Sequence, residues 1–216
     1  MAIAADTRCR LCLVTPAAYD IDAMSRQVAD ALAGGDVASL IVTGPTHDPA
    51  SLQRAAEAIV PIAEARGVAA LVHNDTRIAG RVKADGVHID SGIEDVRQAV
   101  QAAGGKRIVG TGNVRSRHEA LEMGELEPDY IFFGRFGGDT NDTIFPAALE
   151  LAAWWSSVTV IPAMVMGGKT LASVEQAAAN DIPFVALSSA VWLDPRGPGA
   201  AVAEAAERLA VREPSA

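Results

Sequence analysis

Eight short apolar runs alternate with eight helix-like segments along this chain, and that alternation constrains the fold more than any other feature. The runs occupy residues 10–15, 38–43, 68–72, 86–89, 107–111, 130–134, 158–164 and 184–187. Between them stand helix start and stop signals. Asp20 or Asp22 can cap a helix to about residue 33, stopped by Gly34-Gly35. Asp48-Pro49 supplies a cap and a first-turn proline for a helix to about residue 66, ended by Gly67. Further helices are expected at 76–82, 93–103, 116–126, 145–156, 170–179 and 199–211. Regular strand–helix alternation predicts a parallel sheet with helices outside it. The 216 residues divide into eight units of about 27, which favours closure into a (β/α)8 TIM barrel of one domain, with an ordered core over about 8–211 and loose ends at 1–7 and 213–216. An open doubly wound sheet is the alternative. It is weakened because no G-x-G-x-x-G fingerprint follows the first run.

The stretch 71–90, LVHNDTRIAGRVKADGVHID, condenses a whole strand–helix–strand unit into about twenty residues. The polar pair Asn74-Asp75 sits where the strand gives way to its helix. At that end of a parallel sheet ligands bind, and at that position an Asn or Asp also caps a helix. Position alone leaves both readings open.

Charge narrows the partners. The chain carries 27 acidic against 18 basic residues, a net charge of -9, and no basic stripe. Nucleic acid and anionic membranes are therefore not expected partners, and an anionic substrate has to rely on a few local cations or a metal. No apolar stretch is long enough to span a bilayer, and the first ten residues lack the features of a signal peptide, so a cytoplasmic protein is expected. Cys9 and Cys12 form a C-x-x-C spacing. Their odd separation on a strand sends them to opposite faces, and no second cysteine pair completes a zinc site. Two buried, reduced thiols are expected.

In a barrel, function gathers in the loops after the strands. Gly167-Gly168 follows the seventh run and Ser188-Ser189 the eighth. Barrels often hold phosphate there, with backbone N–H groups, small residues and hydroxyls. These four residues are the expected phosphate site. The histidines are expected to be structural: His73 and His88 packed and hydrogen-bonded, His47 and His118 solvated.

The segments NDTRIAGRVKADGVHI, DYIFFG, IPAMVMGGKT and VALSSAVW, in that order, resemble the thiamine phosphate synthase family, whose close relatives are the thiazole tautomerases. The likeness runs from RLCLVTP to the last helix. It implies a (β/α)8 barrel and a transferase of thiamine biosynthesis, joining hydroxymethylpyrimidine diphosphate to thiazole phosphate with release of pyrophosphate and with Mg²⁺ on the diphosphate. It implies that Gly167, Gly168, Ser188 and Ser189 take the thiazole phosphate, and that Asn74 and Asp75 contact the diphosphate and its metal. Asp90 and Glu94 are weaker metal candidates. The tautomerase histidine is missing, with Val114 near its place. The family's Gln-x-Arg-x-Lys clamp after the second strand is also missing, replaced by residues 41–45, IVTGP. Its Ser after the fifth strand becomes Gly112, and its lysine after the sixth is lost from Asp139-Thr140-Asn141-Asp142. Arg135 is the expected replacement cation and, with Asn74 and Asp75, a catalytic candidate. The competing expectation pairs Arg77, Arg115, Arg135 and Lys169 with Asp90, Asp139 and Asp142 on the surface. The expected partners are a small phosphorylated ligand and a second copy of the chain. The lost clamp leads to an expectation of weak or absent synthase activity. Two other readings stay open: a phosphate-binding or regulatory barrel, or a different barrel enzyme using Asp75, Asp90 or His73 as acid or base.

Overall fold

The computed structural model describes residues 8–46 and 48–210. The loose ends expected at 1–7 and 213–216, residue 211 of the last helix, and His47 lie outside the described residues. Eight parallel strands form a closed barrel in sequence order: β1 Arg10–Val14, β2 Ser39–Val42, β3 Ala69–His73, β4 Gly86–Ile89, β5 Ile108–Val114, β6 Tyr130–Phe133, β7 Ala163–Met166 and β8 Phe184–Leu187. Closure is made by β1, whose Leu11 and Cys12 register with Val185 and Ala186 of β8. The helices are α1 Ile21–Gly34, α2 Pro49–Glu64, α3 Thr76–Val82, α4 Ile93–Ala103, α5 Arg117–Gly124, α6 Pro146–Val158, α7 Ala172–Ala179, α8 Ser189–Trp192 and α9 Pro198–Ala210.

The strands read as continuous apolar runs because both faces are buried. Alternate residues point into the barrel, among them Cys12, Val14, Ile41, Leu71, Phe132, Met164 and Ala186. Their neighbours Leu11, Leu13, Leu40, Val42, Val72 and Val165 pack outward against the helices. Cys9 belongs to the outer cluster and Cys12 to the inner one, and both thiols are free, as the odd spacing requires. Side-chain caps start four helices where the sequence places them: Asp20 accepts from Ala23 N, Asp48 from Ser51 N, Asp75 from Arg77 N and Ile78 N, and Ser116 from Glu119 N.

Three boundaries differ from expectation. The run 158–164 is not one strand. Val158 ends α6, Thr159 N closes that helix on Trp155 O, and Val160 is 98% exposed. β7 begins only after Pro162, whose carbonyl accepts from Ile131 N. An apolar run that joins a helix tail to a strand has no period that separates the two. β5 runs on to Val114 through a register shift between Thr111 and Val114. The serine pair after β8 opens the short helix α8, which seats Trp192 so that its indole N–H donates to Val14 O at 2.6 Å.

Candidate functional site

The C-terminal ends of β1, β2 and β3 and the loop after β6 enclose a cavity of about 480 Å³, lined by Thr15, Thr43, Asp48, His73, Asp75 and Phe136, with Asn74 beside them. Thr15 and Thr43 tie β1 to β2 at its wall, since Thr43 N donates to Thr15 Oγ1 at 2.8 Å. Two carboxylates face this space, and no Lys or Arg lines it among the described residues.

Asn74 and Asp75 divide the work at the end of β3. Asn74 adopts a left-handed conformation, φ 53°, which Asn tolerates better than most residues. That turn swings its amide onto Asp90: Nδ2 donates to Asp90 Oδ1 at 2.6 Å, and Asp90 N donates to Asn74 Oδ1 at 2.9 Å. Asp75 Oδ1 accepts from Arg77 N at 2.9 Å and Ile78 N at 2.7 Å. The capping reading of Asp75 is correct, and its carboxylate also borders the cavity.

His73 donates Nε2–H to Asp90 Oδ1 at 2.9 Å. The proton sits on Nε2 because the carboxylate only accepts. Burial works to raise the Asp90 pKa, but the hydrogen bonds from His73 and Asn74 and the neighbouring imidazoles outweigh it and bring it down to about 2. Behind this pair His88, 1% exposed, shares a 2.8 Å hydrogen bond between Nδ1 and the Tyr130 hydroxyl. Phe136 folds from the β6–α6 loop into the barrel mouth. It packs on His88 at 4.9 Å, edge-on to His73 at 5.0 Å and edge-on to Phe132 at 5.1 Å. Both histidines are packed and bonded, as expected, while His118 is exposed beside Glu122. Tyr130 and Phe136 were not among the expected site residues. The inward alternation of 130, 132 and 134 on β6 was the one signal for Tyr130; Phe136 carried none.

Burial and the charge of His73 push the His88 pKa down to about 3. Its unfolded value is about 6.5, so between these values the unfolded chain binds the proton and the folded chain does not. Stability is therefore expected to fall as pH drops from about 6.5 toward 3. Urea midpoints across that range should decline more shallowly for His88→Asn than for the parent chain; parallel curves would contradict this.

The expected phosphate residues come together at the β7–β8 edge, with the donors of Gly167, Gly168 and Ser189 already engaged. Gly167 N donates to Ala186 O at 2.8 Å and Gly168 N to Ser173 Oγ at 2.7 Å. A Cβ on Gly168 would meet the carbonyl oxygens of Asn141 and Thr143 at 2.6 Å. Ser188 is buried and its carbonyl accepts from Val191 N and Trp192 N. Ser189 gives both its N–H, at 2.7 Å, and its hydroxyl to Asp139 Oδ2. The loop is strapped to the same edge by Lys169 N on Asn141 O and by the Lys169–Asp142 ion pair at 3.4 Å.

The remaining candidates fall elsewhere. Glu94, in the first turn of α4, faces Arg97 at 3.4 Å. Of the expected surface ion pairs only Lys169–Asp142 forms; Asp90 is taken by His73 and Asp139 by Ser189. Arg135 has no ion pair among the described residues and borders a different cavity. Gly112 is explained by His88: a Cβ there would lie 2.9 Å from Nε2, so the strand has no room for a serine with the imidazole so placed.

Comparison with known proteins agrees with this architecture. The family model described as thiamine monophosphate synthase matches residues 11–191. A thiamine-phosphate synthase of Rhodospirillum centenum is 34% identical over 199 residues, 92% of this chain and 96% of that protein. One of Hyphomonas neptunium is 33% identical over 201 residues, 90% of this chain and 91% of that protein. Among solved structures, thiamine phosphate pyrophosphorylase from Pyrococcus furiosus superposes with a TM-score of 0.75 at 20% identity, covering 94% of this chain and 96% of that one. A 3-hexulose-6-phosphate synthase gives 0.73 at 14%, covering 92% and 99%. These two likenesses concern the fold. The expectations of a catalytically degenerate barrel and of an unrelated barrel enzyme are not borne out, because the relatives that match along nearly the whole chain carry the synthase name. With a closed eight-stranded barrel and a sequence match across 11–191, this chain belongs to the thiamine monophosphate synthase family.

Proposed function

We propose that this chain makes thiamine phosphate, joining hydroxymethylpyrimidine diphosphate to thiazole phosphate. The observation that carries the reading is the match over 11–191 on a barrel whose rim gathers Asn74, Asp75 and Asp90. In the reaction the bond between the pyrimidine methylene carbon and the diphosphate oxygen breaks, and its electron pair leaves with pyrophosphate. The thiazole nitrogen lone pair then forms the new C–N bond, and no net proton transfer is needed. Most of the catalytic task is positioning and stabilising charge on the leaving group. Phe136, packed on His73, His88 and Phe132, supports this by keeping the cavity floor apolar and shielding a cationic intermediate from water.

The carboxylates suit a metal that arrives with its substrate. Among the described residues no group of three or more His, Cys, Asp or Glu is arranged to hold an ion. Mg²⁺ does not need one, since it keeps several waters and is held by one or two carboxylates and the substrate's phosphates. Asp75 would hold it, with Asp48 across the cavity. Asp90 is less suited because Oδ1 already accepts from His73 and Asn74. When bound, Mg²⁺ neutralises the negative charge that builds on the diphosphate.

The thiazole phosphate belongs, on this reading, at Gly167, Gly168, Ser188 and Ser189, where it has to displace Asp139 from Ser189. Asp139→Ala removes an anion that competes for the same donors. It is expected to tighten thiazole phosphate binding roughly tenfold, the worth of one charged hydrogen-bonded competitor; an unchanged dissociation constant in calorimetry would count against the phosphate site. A cytoplasmic location is part of the proposal, supported by two free buried cysteines. No helix among the described residues is long and apolar enough to cross a membrane. So is a dimer with a second copy, open to test by sedimentation. The activity itself is tested with the purified chain, both substrates and Mg²⁺. Thiamine phosphate and pyrophosphate should appear in equal amounts, and the gene should restore growth to a strain lacking the synthase. No product and no growth would end the proposal.

A further inference from the structure

The wall of the cavity at the ends of β1, β2 and β3 holds one side-chain nitrogen with no hydrogen bond among the described residues, Nδ1 of His73. Its polar neighbours are committed. Thr43 donates its hydroxyl to Pro16 O at 3.0 Å, and Thr15 Oγ1 accepts from Thr43 N at 2.8 Å. Thr46 donates its hydroxyl to Asp48, and both ends of the Asn74 amide are held by Asp90. The His73 side chain is 24% exposed, so a ligand in the cavity can reach the ring.

The ring is held in one orientation. Nε2–H is fixed on Asp90 Oδ1 at 2.9 Å, and Asp90 is itself clamped by Asn74 at 2.6 Å and 2.9 Å. A carboxylate that takes one ring proton sets the tautomer, so in the neutral imidazole Nδ1 carries a lone pair and accepts. Phe136 adjoins it edge-on at 5.0 Å and lines the same cavity. The wall therefore sets a fixed, uncharged acceptor beside an aromatic surface, with the carboxylates of Asp48 and Asp75 nearby and no described Lys or Arg. Such a wall selects a flat heterocycle that presents an N–H donor, and it offers little to a ring that presents only lone pairs. The pyrimidine of the proposed substrate has such a donor, an exocyclic amine on the ring carbon next to the one that bears the reacting methylene.

We infer that His73 is a specificity-determining residue: its Nδ1 accepts the hydrogen bond of the pyrimidine's exocyclic amine, and Asp90 is the positioning residue that holds the ring. The inference rests on the proposed synthase reaction, and it keeps the pyrimidine in the same cavity as Asp75, where that reading puts the metal.

Two amide variants separate recognition from bracing, because an Asn amide overlaps the Nδ1 side of an imidazole and a Gln amide the Nε2 side. H73N keeps an acceptor at the Nδ1 position and loses the bond to Asp90. H73Q keeps the bond to Asp90 and has no acceptor at the Nδ1 position. The probes are hydroxymethylpyrimidine diphosphate and its analogue with hydrogen in place of the amine. Each is titrated with Mg²⁺ into the parent chain, H73N and H73Q in the absence of thiazole phosphate. The parent should bind the amine-bearing ligand roughly tenfold tighter, the worth of one hydrogen bond. H73Q should bind the two alike, H73N should keep part of the preference, and KM for thiazole phosphate should not move in either. The urea midpoint of H73Q should stay close to that of the parent, since its amide still meets Asp90. A parent-like preference in H73Q overturns the inference and leaves His73 a brace for Asp90. No preference in the parent, or no binding of either ligand, overturns it too. If the parent chain makes product while H73Q shares its preference, the synthase reading survives and this inference fails. If no product forms but the preference depends on residue 73, the recognition stands and the synthase reading fails.

Discussion

Replacing Gly110 by alanine is expected to destabilise the barrel by roughly 2–5 kcal/mol, combining overpacking with the loss of a buried polar contact. Gly110 of β5 lies opposite Tyr130 of β6, and a Cβ there would fall on the phenol ring. The ring has little freedom to move, because it is 5% exposed, stacks on His88 at 5.7 Å and shares the 2.8 Å hydrogen bond to Nδ1. Displacing it leaves a buried hydroxyl and a buried imidazole without each other. That loss is a large part of the 5–15 kcal/mol that holds an ordinary domain together. Urea unfolding of Gly110→Ala, Tyr130→Ala and the double variant measures it. Removing the ring makes room for the methyl, so the double variant should lose much less than the two single losses added together. Full additivity would mean that the glycine is not there to admit the ring.

The second large effect separates the helix cap that Asp75 forms from the metal-holding role proposed for it. Asp75→Asn should lower turnover roughly a hundred- to a thousandfold, the usual consequence of deleting one electrostatic group that acts on a developing charge. Folding should hardly change, because Asn caps helices about as well as Asp; loss of the charge at the α3 N-terminus costs about 0.3–1 kcal/mol. Asp75→Ala should lose the same activity and about 1 kcal/mol more stability, since the hydrogen bonds to Arg77 N and Ile78 N go as well. Steady-state rates at saturating Mg²⁺, beside urea midpoints for both variants, resolve the two roles. Near-parental turnover in Asp75→Asn would reduce this residue to a helix cap.

The strap across the β7–β8 edge gives the Asp139 measurement a wider meaning. The phosphate donors expected from Gly167, Gly168 and Ser189 are satisfied by the chain itself. Under the proposed reading, a phosphate ester exchanges with Asp139 rather than entering open space, and its affinity depends on how firmly the β6–α6 loop is held. A second cavity, lined by Arg115 and Arg135, borders the same loop through Gly138, Thr140 and Asn141.

What the sequence determined by itself was the local grammar. Eight alternating runs specified eight parallel strands, Asp48 marked one helix start and the pairs Asp20/Asp22 and Asn74/Asp75 marked two more, and the odd spacing of Cys9 and Cys12 put them on opposite faces. These features depend on residues within one or two turns of each other, where propensity and period act directly. The join of α6 to β7 was not legible, because residues 158–164 are apolar in both the helix tail and the strand. The site was legible only as a set of loops. The tertiary structure alone decided that His73 meets Asp90, that His88 meets Tyr130 across 42 residues, that Asp139 reaches Ser189 across 50, and that Arg135 lines a cavity with Arg115 and not the one with Asp75. Those contacts follow from barrel closure, which brings strand ends into register irrespective of their distance along the chain, and no local pattern encodes which side chains then come within reach.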